Sequence, residues 1–212
     1  MLITAGPTHE PIDRVRYIAN RSSGKLGVEI ARAASHAGWS VTLLLGPVIV
    51  ETPPGIDVVR FETCEELQSL LEDHFASCDV LVMAAAVADF RLRQQLDKKV
   101  SRCEKGLTLD LVPTPDLVAR CCAHKRNDQF VVGFALESSS CLETRAREKL
   151  SRKGLDAIVA NPLSTMGSPT IDADIFIKTG DSIQRFCNKT LEKNAFAHFL
   201  IQWIEETTPK RP

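Results

Sequence analysis

Apolar and polar positions alternate along the chain in blocks that indicate strands and helices in turn. Short apolar runs predict strands, because strands of a parallel sheet are buried on both faces. The predicted strands are Leu2–Ala5, Ser40–Leu45, Asp57–Phe61, Asp79–Ala86, Phe130–Ala135 and Ala157–Ala160. Between them, apolar residues three and four positions apart predict helices with one buried face. The predicted helices are Lys25–Ala37, Cys64–Phe75, Pro115–Ala123 and Cys141–Lys153.

This alternation predicts an α/β fold with a doubly wound, mostly parallel, Rossmann-like sheet and right-handed crossovers. The run Asp79–Ala86 is the most apolar in the chain, so we expect it at the centre of the sheet. Leu107–Val112 alternates like an edge strand. Nearer the C-terminus, Asp174–Lys178 and Ser182–Phe186 predict a hairpin, and Leu191–Ile204 predicts a last helix.

The segment from Arg91 to Gly106 is polar and charged, with no apolar period. Such a segment cannot bury enough surface to be rigid by itself, so we expect a mobile flap there. The length fits one elaborated domain, which we place at residues 1–205, followed by a flexible tail at 206–212.

Composition narrows the class of protein. The 212 residues are 44% hydrophobic and 25% charged, and their net charge of −1 argues against nonspecific nucleic-acid binding. We also expect no membrane contact and no secretory leader, and hence a cytoplasmic protein. The seven cysteines include no C-x-x-C pair, which fits a reduced compartment better than a disulfide framework or a zinc site. Cys121 and Cys122 are interpreted as small packing residues on a helix.

Three polar clusters follow predicted strands, where ligands bind in an open α/β sheet. They are Gly6–Thr8 together with Asn20–Gly24, then Ala84–Arg91, then Gly133–Glu137. Ser22-Ser23-Gly24 immediately precedes a helix, whose free N–H groups and dipole favour an anion. Gly24 and Gly27 are small enough for close approach of a phosphate or a strand. An ordinary serine N-cap with a packing glycine explains the same residues equally well.

Taken alone, the charged residues near these clusters favour structural roles. Asp89 is more simply a helix cap or a partner of Arg91, and Lys99 is a solvated charge on a loop. Lys149 and Lys153 share a helix face, which favours a solvated stripe over a phosphate clamp. The five histidines lack ligand spacing, and HExxH, Walker A and Ser-His-Asp patterns are absent, so the ligands of any metal stay unknown.

Five stretches together resemble the phosphopantothenoylcysteine synthetase family, in the order and spacing of that family. They are Ile3-Thr-Ala-Gly-Pro-Thr-His-Glu-Pro-Ile-Asp13, Val15-Arg-Tyr-Ile-Ala-Asn-Arg-Ser-Ser-Gly-Lys-Leu-Gly27, Ala85-Ala-Val-Ala-Asp-Phe-Arg91, Thr114-Pro-Asp-Leu-Val118 and Val132-Gly-Phe-Ala-Leu-Glu137. The resemblance implies a ligase that joins 4′-phosphopantothenate to L-cysteine in coenzyme A biosynthesis. The carboxylate attacks the α-phosphate of CTP, pyrophosphate leaves, and the cysteine amine then displaces CMP from an acyl-cytidylate.

The resemblance also implies partners and a cofactor. Mg²⁺ is expected with CTP, because the reaction gathers negative charge on phosphates. The family is dimeric, and Leu107–Val112 or the predicted tail hairpin could supply the contact between two copies. The chain begins at the synthetase segment, so a flavin-dependent decarboxylase is expected, if anywhere, as a separate partner.

Individual roles follow from the matched motifs. Asn20 matches the asparagine that holds the acyl-nucleotide intermediate, and Lys99 matches the lysine of a strap over the nucleotide. The strap reads Lys99-Val-Ser-Arg102, without the later lysines usual in the family, so the choice between Lys98 and Lys99 stays open, although spacing favours Lys99. With the turn glycines and Ser23, the nucleotide-binding candidates are Gly6, Ser23, Gly24, Gly27, Met83, Ala84, Ala85, Asp89, Lys99, Pro115, Asp116, Leu117, Val118, Phe134, Lys149, Lys153 and Asn161.

Two other functions compete with this one. An NAD(P)-dependent Rossmann oxidoreductase would carry G-x-G-x-x-G directly after the first strand and an acidic residue at the end of the second. Here a long insertion separates Pro7 from Asn20, and the second strand ends in Leu45-Gly46-Pro47. A catalytically inactive nucleotide-binding regulator is the third possibility, and the presence of both Asn20 and Lys99 argues against it.

Overall fold

The computed structural model describes residues 1–101, 106–180, 182–187 and 190–208. In this part of the chain, the strands are β1 (Leu2–Ala5), β2 (His9–Pro11), β3 (Tyr17–Ala19), β4 (Thr42–Leu45), β5 (Asp57–Arg60), β6 (Val80–Met83), β7 (Phe90–Leu92), β8 (Leu111–Pro113), β9 (Phe130–Glu137), β10 (Ala157–Pro162), β11 (Thr170–Ile171), β12 (Asp174–Thr179), β13 (Ser182–Cys187) and β14 (Leu191–Glu192). The helices are α1 (Lys25–His36), α2 (Cys64–Phe75), α3 (Leu117–Ala123), α4 (Leu142–Lys153) and α5 (Lys193–Thr207), with a 3₁₀ turn at Leu163–Thr165.

Eight strands form the central sheet, in the order β13-β12-β10-β9-β6-β1-β4-β5. From β10 to β5 every neighbouring pair is parallel, whereas β12 and β13 add an antiparallel hairpin at one edge. The predicted mostly parallel, Rossmann-like sheet is therefore confirmed, as are the central position of β6 and the hairpin near the C-terminus. Residue Asp181, between β12 and β13 in the sequence, lies outside the described residues.

Two hydrophobic layers cover the two faces of the sheet. Successive side chains of a strand point to opposite faces, so Leu2 and Ile3 of β1 belong to different layers. The layer with Ile3 packs under α1 and α5, through residues such as Ile30 and Phe196. The layer with Leu2 packs under α2, α3 and α4, and includes Leu150. Helices on both faces leave the carboxyl ends of the strands as the open edge of the molecule.

Several predicted boundaries were wrong. The run Asp79–Ala86 is a strand only as far as Met83, because the N–H of Ala84 turns back to the carbonyl of Val82 and that of Ala85 donates to the Thr4 hydroxyl. The predicted edge strand Leu107–Val112 begins only at Leu111, and it pairs with β7 in a separate ribbon instead of joining the main sheet. The ribbons β2–β3 and β11–β14 were not predicted. The last helix, predicted at Leu191–Ile204, begins at Lys193 and continues to Thr207, and 209–212 lie outside the described residues.

The buried cysteines are chemically quiet. Burial raises the pKa of Cys64 and of Cys78 to about 11, and that of Cys121 to about 12. Cys122, which is half-buried on α3, also has its pKa raised by burial, to about 11. These thiols are protonated near neutral pH, which supports the interpretation of Cys121 and Cys122 as packing residues.

Among the described residues, no helix combines the length and the apolar character needed to cross a membrane.

Candidate active site

A cleft of about 900 Å³ opens at the carboxyl ends of the parallel strands β1, β6, β9 and β10. Its walls come from four places: the start of α1, the segments that follow β6 and β8, the inner side of α4, and the loop after β10. Open α/β sheets bind ligands at this position, because the order of the strands reverses there, between β1 and β6.

The first wall depends on three glycines. Gly24 is the N-cap of α1, with φ near 70°, a left-handed conformation that favours glycine. No side chain caps the helix there. A Cβ at Gly27 would lie 2.5 Å from the Cβ of Ala5, so glycine is what lets α1 approach β1 this closely. Gly6 stands behind the wall, with its Cα 3.5 Å from where a Cβ on Gly24 would be.

The second wall is backbone held in place by hydroxyl groups. After β6, the N–H of Ala85 donates to Oγ1 of Thr4 at 3.0 Å, and the N–H of Ala88 donates to Oγ1 of Thr8 at 3.0 Å. The hydroxyl of Thr114 donates to the carbonyl of Ala88 at 2.5 Å. Because alanine has almost no side chain, a ligand can contact this backbone directly.

Asn20 and Asp89 stand at the rim of the cleft, both exposed to solvent. The Nδ2 of Asn20 donates to the carbonyl of Val87 at 2.8 Å, which ties the first wall to the second. Among the described residues the Asp89 carboxylate neither caps a helix nor pairs with Arg91, so neither structural role considered for it is present. Its backbone carbonyl accepts from the N–H of Thr114 at 3.0 Å.

Lys149 and Lys153 point from α4 into the cleft, and each already has a carboxylate partner. The Lys149 ammonium lies 2.6 Å from Glu137, and that of Lys153 lies 3.0 Å from Asp116. Asp116 also accepts from the N–H of Ala119 as the N-cap of α3. The two lysines are partly buried and ion-paired, which differs from the solvated stripe that spacing alone favoured.

The structure brings together all the predicted site residues except Gly6 and Lys99. Gly6 supports the wall from behind, as described. Lys99 is exposed and does not line the cleft. Its neighbour Val100 is tied elsewhere: its N–H donates to Oδ2 of Asp13 at 3.0 Å, and its carbonyl accepts from Arg16 at 2.8 Å. Whether a flap carries Lys99 to the nucleotide therefore stays a prediction, and Arg102 lies outside the described residues.

Several lining residues were not predicted: Arg21, Lys25, Met166 and Lys193. Lys25 directly follows the Ser-Ser-Gly turn, so its sequence position could have indicated it. Lys193 has no local signal, since its place in the cleft depends on how α5 packs against α1. Burial lowers the pKa of the Lys193 ammonium, and the positive charge of Lys25 lowers it further.

No ready-made metal cage is found in the described parts of the chain. They contain no group of three or more His, Cys, Asp or Glu side chains placed to hold a metal ion. Asp89 is the carboxylate of the cleft that has no ion-pair partner within those residues. A magnesium ion that keeps several waters and binds substrate phosphates needs only one or two such carboxylates, so the donor set fits that mode of binding.

Residues 1–208 of the chain match the protein family described as DFP, DNA/pantothenate metabolism flavoprotein C-terminal domain. The chain belongs to this family. The resemblance noted from the five motifs is confirmed. Gly46 follows β4 where a dinucleotide-binding oxidoreductase would carry its acidic residue, and a Cβ there would lie 2.2 Å from the carbonyl oxygen of Pro7. A ribose-binding carboxylate is therefore sterically excluded from that position in this DFP domain.

Relatives of this DFP domain include the coenzyme A biosynthesis bifunctional protein CoaBC of Vibrio cholerae, 39% identical over 206 residues, which cover 94% of this chain and 51% of the relative. The protein of the same description from Escherichia coli K12 is 40% identical over 190 residues, covering 86% of this chain and 47% of the relative. The chain thus spans about half the length of these curated relatives. The solved C-terminal domain of a CoaBC superposes with a TM-score of 0.79 at 30% identity, covering 97% of this chain and 93% of that one.

Proposed function

We propose that this chain is a phosphopantothenate–cysteine ligase. It uses CTP to activate the carboxylate of 4′-phosphopantothenate as an acyl-cytidylate, and L-cysteine then displaces CMP to give 4′-phosphopantothenoylcysteine. The observation that carries the proposal is the cleft itself. In a DFP-family chain, it gathers Asn20, Asp89, the Ala84–Ala86 backbone and the lysines of α4 around one space.

The chemistry that these residues supply is positioning and charge stabilisation. Asn20 is a neutral amide, so it can hold an acyl-phosphate oxygen without adding negative charge to a reaction already rich in it. Its Nδ2 only has to leave the carbonyl of Val87 to do so. The exposed backbone of the second wall holds the carboxylate substrate in line with the α-phosphate, which lowers the entropic cost of the first half-reaction.

The nucleotide occupies the side of the cleft formed by residues 115–118 and α4. Lys149 and Lys153 provide cations there, and their carboxylate partners Glu137 and Asp116 hold them in place until phosphate arrives. Phe134 and Asn161 complete this side. Backbone groups of a loop that is anchored by the Asp116 cap can distinguish one base from another, which accounts for the choice of CTP.

Magnesium enters with the nucleotide in this proposal. The ion supplies charge neutralisation on the phosphates when bound, and Asp89 is the protein carboxylate that would hold it. Through that ion, Asp89 would help to hold the phosphates in the cleft that Asn20 also lines. Removing magnesium with a chelator should stop pyrophosphate release, whereas adding flavin or nicotinamide cofactors should not restore it.

The decisive experiment incubates the purified chain with CTP, 4′-phosphopantothenate and cysteine, and measures pyrophosphate, CMP and the coupled product. With cysteine omitted, pyrophosphate should be released in an amount close to that of the enzyme, because the acyl-cytidylate stays bound. With cysteine present, CMP and product should accumulate together. Binding of CTP without any pyrophosphate would instead indicate an inactive nucleotide-binding regulator and would contradict the proposal.

Two copies of the chain form the active species. The product is then consumed by a flavin-dependent decarboxylase, on the same or another chain. This decarboxylase follows from the chemistry of the product, a carboxylated cysteine amide that must lose carbon dioxide to give a cysteamine end. Relatives named as bifunctional are consistent with such a partner. Co-purification of the chain with a separate decarboxylase would test whether the two associate.

A further inference from the structure

Helices α1 and α5 lie side by side on one face of the sheet and run in the same direction. Just beyond α1, the indole Nε1 of Trp39 donates at 3.0 Å to Glu205, near the C-terminal end of α5. The ring of His36, the last residue of α1, lies 6.3 Å from that of His198, in the first half of α5. The N-terminal residues of both helices lie at the same cleft. The first residue of each helix is a lysine, Lys25 or Lys193, and both lysines line the cleft.

A lysine is poorly placed at a helix N-terminus. The macrodipole puts partial positive charge there, so acidic residues stabilise the first turn and cations destabilise it. Helix α2 follows this rule with Glu65 and Glu66 in its first turn, and α4 follows it with Glu143. Helices α1 and α5 have no acidic residue in the first turn, although Glu192 stands at the N-cap of α5. Among the helices of the described residues, α1 and α5 are the ones that begin with a lysine.

The two lysines also differ from the other cleft lysines in their partners. Lys149 and Lys153 each contact a carboxylate. Within residues 1–101, 106–180, 182–187 and 190–208, neither Lys25 nor Lys193 has an ion-pair partner. Both lysines line the same cleft. Burial lowers the pKa of the Lys193 ammonium first, and the positive charge of Lys25 lowers it further.

We propose that Lys25 and Lys193 form a subsite of the cleft for a phosphate group. A phosphate between them would offset the repulsion of the two ammonium groups and the unfavourable dipole interactions together, and the Ser22–Gly24 turn beside Lys25 offers hydrogen-bond donors to the same anion. This inference rests on the proposed function, in which both substrates carry phosphate. The ligand is either the β- and γ-phosphates of the nucleotide or the 4′-phosphate of phosphopantothenate.

The test compares Lys25→Gln and Lys193→Gln with a matched control, Lys178→Gln. Lys178 is exposed on β12 outside the cleft, so the control removes the same charge without touching the site. Calorimetric titration of each variant uses inorganic pyrophosphate, CTP with magnesium, and 4′-phosphopantothenate as separate ligands. We expect each cleft variant to bind at least one of them about tenfold more weakly, the loss typical of one charged hydrogen bond.

The pattern of losses identifies the source of the phosphate. Weaker binding of pyrophosphate and CTP assigns the subsite to the nucleotide, and weaker binding of phosphopantothenate alone assigns it to the other substrate. Unchanged affinity for all three ligands, relative to Lys178→Gln, overturns the proposal. Because the titrations need no turnover, this result stands independently of whether the ligase assay succeeds.

A stability measurement separates a binding role from a structural one. If the lysines stand where they destabilise the free protein, Lys193→Gln should leave the ligand-free Tm unchanged or raise it. Lys25→Gln should behave in the same way. A Tm that falls in both variants would mean that the lysines hold the helices in place, and it would overturn the proposal even if binding were weaker.

Discussion

Asn20 makes one side-chain hydrogen bond, from its Nδ2 to the carbonyl of Val87, and it is otherwise exposed. A side chain held by a single exposed hydrogen bond can exchange partners at little cost. A structural asparagine would be more firmly bonded, as Gln129 is, whose Nε2 donates to the carbonyls of Phe75 and Cys78 in the interior. The Asn20 side chain can therefore leave the carbonyl of Val87 and bind a ligand instead.

We predict that Asn20→Asp forms the acyl-cytidylate but converts it poorly to product. The substitution keeps the size of the side chain and adds a negative charge beside an acyl phosphate, so the bound intermediate loses a donor and meets repulsion. Rapid-quench analysis with CTP, phosphopantothenate and cysteine should show the intermediate accumulating. Asn127→Asp, which adds the same charge in an exposed turn outside the cleft, should behave like the parent. Normal product formation by Asn20→Asp would contradict the proposed role of Asn20 in holding the intermediate.

A second residue-scale prediction concerns the packing of α1 on β1. Gly27→Ala places a Cβ 2.5 Å from that of Ala5, so backbone must move and the helix start that lines the cleft moves with it. We expect a cost of about 1–3 kcal/mol, the usual range for overpacking. For a chain of this size that is a fall in Tm of roughly 2–4 °C per kcal/mol. Ser35→Ala in the same helix should not lower the Tm, and an equal fall in both variants would contradict the packing argument.

At the scale of elements, the flap predicted at 91–106 has a well-anchored base at Val100, although Arg91 and Leu92 belong to β7. The Asp13 carboxylate accepts hydrogen bonds from the N–H groups of Val15, Arg16 and Val100 and from the Arg16 guanidinium. These bonds hold the pKa of Asp13 well below its ordinary value, with the guanidinium of Arg16 the largest cause. Because the folded-state pKa is lowered, this tether is present above pH 3.8, the ordinary value, and is lost only on further acidification.

We predict that limited proteolysis cuts the chain within 91–106 and that CTP with magnesium protects it. Ordering of the flap over the nucleotide would bring Lys99 to the phosphates and exclude water. Asp13→Asn, which loses part of the tether at Val100, should be cut faster than the parent without ligand. Lys99→Gln should slow pyrophosphate release without unfolding the protein. Slow cleavage in the absence of nucleotide, or cleavage that nucleotide does not slow, would mean that no flap closes.

The loop between β8 and α3 carries the prediction on nucleotide choice. Asp116 fixes this loop twice, as the N-cap of α3 and as the partner of Lys153, so its backbone presents constant hydrogen-bonding groups to a base. A site built in this way rejects a base that leaves its polar groups unpaired. We expect kcat/KM for CTP to exceed that for ATP by at least about a hundredfold. Similar values for the two nucleotides would exclude base recognition by this loop.

The pattern of apolar and polar residues predicted the elements that are stabilised by residues within or next to them. It missed the elements that depend on contacts with residues distant in sequence. Helix α2 has its own Thr63 cap and acidic first turn, and its predicted bounds were correct. The β2–β3 ribbon has three-residue strands whose turn is held by Asp13, and one strand ends in Pro11, so no apolar period marks it. The strand predicted through Ala86 was too long because alanines look apolar although their amides bond to Thr4 and Gly6.

The same distinction holds for the site. Residues within the motifs were found because each motif is contiguous in sequence and stands at the end of a strand. Lys193 was not found, since its position depends on the packing of α5 against α1, which joins the two ends of the chain. Lys99 shows the converse limit: its motif indicates a role at the nucleotide, but Lys99 does not line the cleft, so that role stays a prediction.

At the scale of the whole molecule, two of the three ribbons outside the main sheet, with residues next to them, carry exposed apolar side chains. The largest of these are Val15, Tyr17, Phe90, Leu107 and Leu111, each at least 40% exposed. Strands β2 and β7 contact each other, so the two ribbons that carry or adjoin these residues lie side by side. Clustered apolar exposure of this kind marks an interaction surface, and a self-complementary patch gives a two-fold dimer.

We therefore predict a dimer in solution that uses this surface. Leu111→Asp should convert it to monomers, because a buried unpaired carboxylate is not tolerated at an apolar interface. Ile49→Asp is the matched control, since Ile49 is fully exposed but lies on a separate loop. Light scattering after size-exclusion chromatography measures the mass of each. If the unmodified protein is a monomer, the predicted dimer is wrong. If the Leu111→Asp variant is still a dimer, the contact lies elsewhere, and the β12–β13 hairpin edge is the next candidate.

The protonated thiols of the interior have a consequence for the proposed reaction. One substrate is free cysteine, and the product carries an unprotected sulfhydryl. An enzyme with ionised cysteines near its surface would exchange disulfides with both whenever the surroundings became oxidising. Here the raised pKa values of Cys64, Cys78 and Cys121 leave those sulfur atoms un-ionised and out of reach. These three cysteines would therefore take no part in thiol exchange while the proposed enzyme binds a thiol substrate and releases a thiol product.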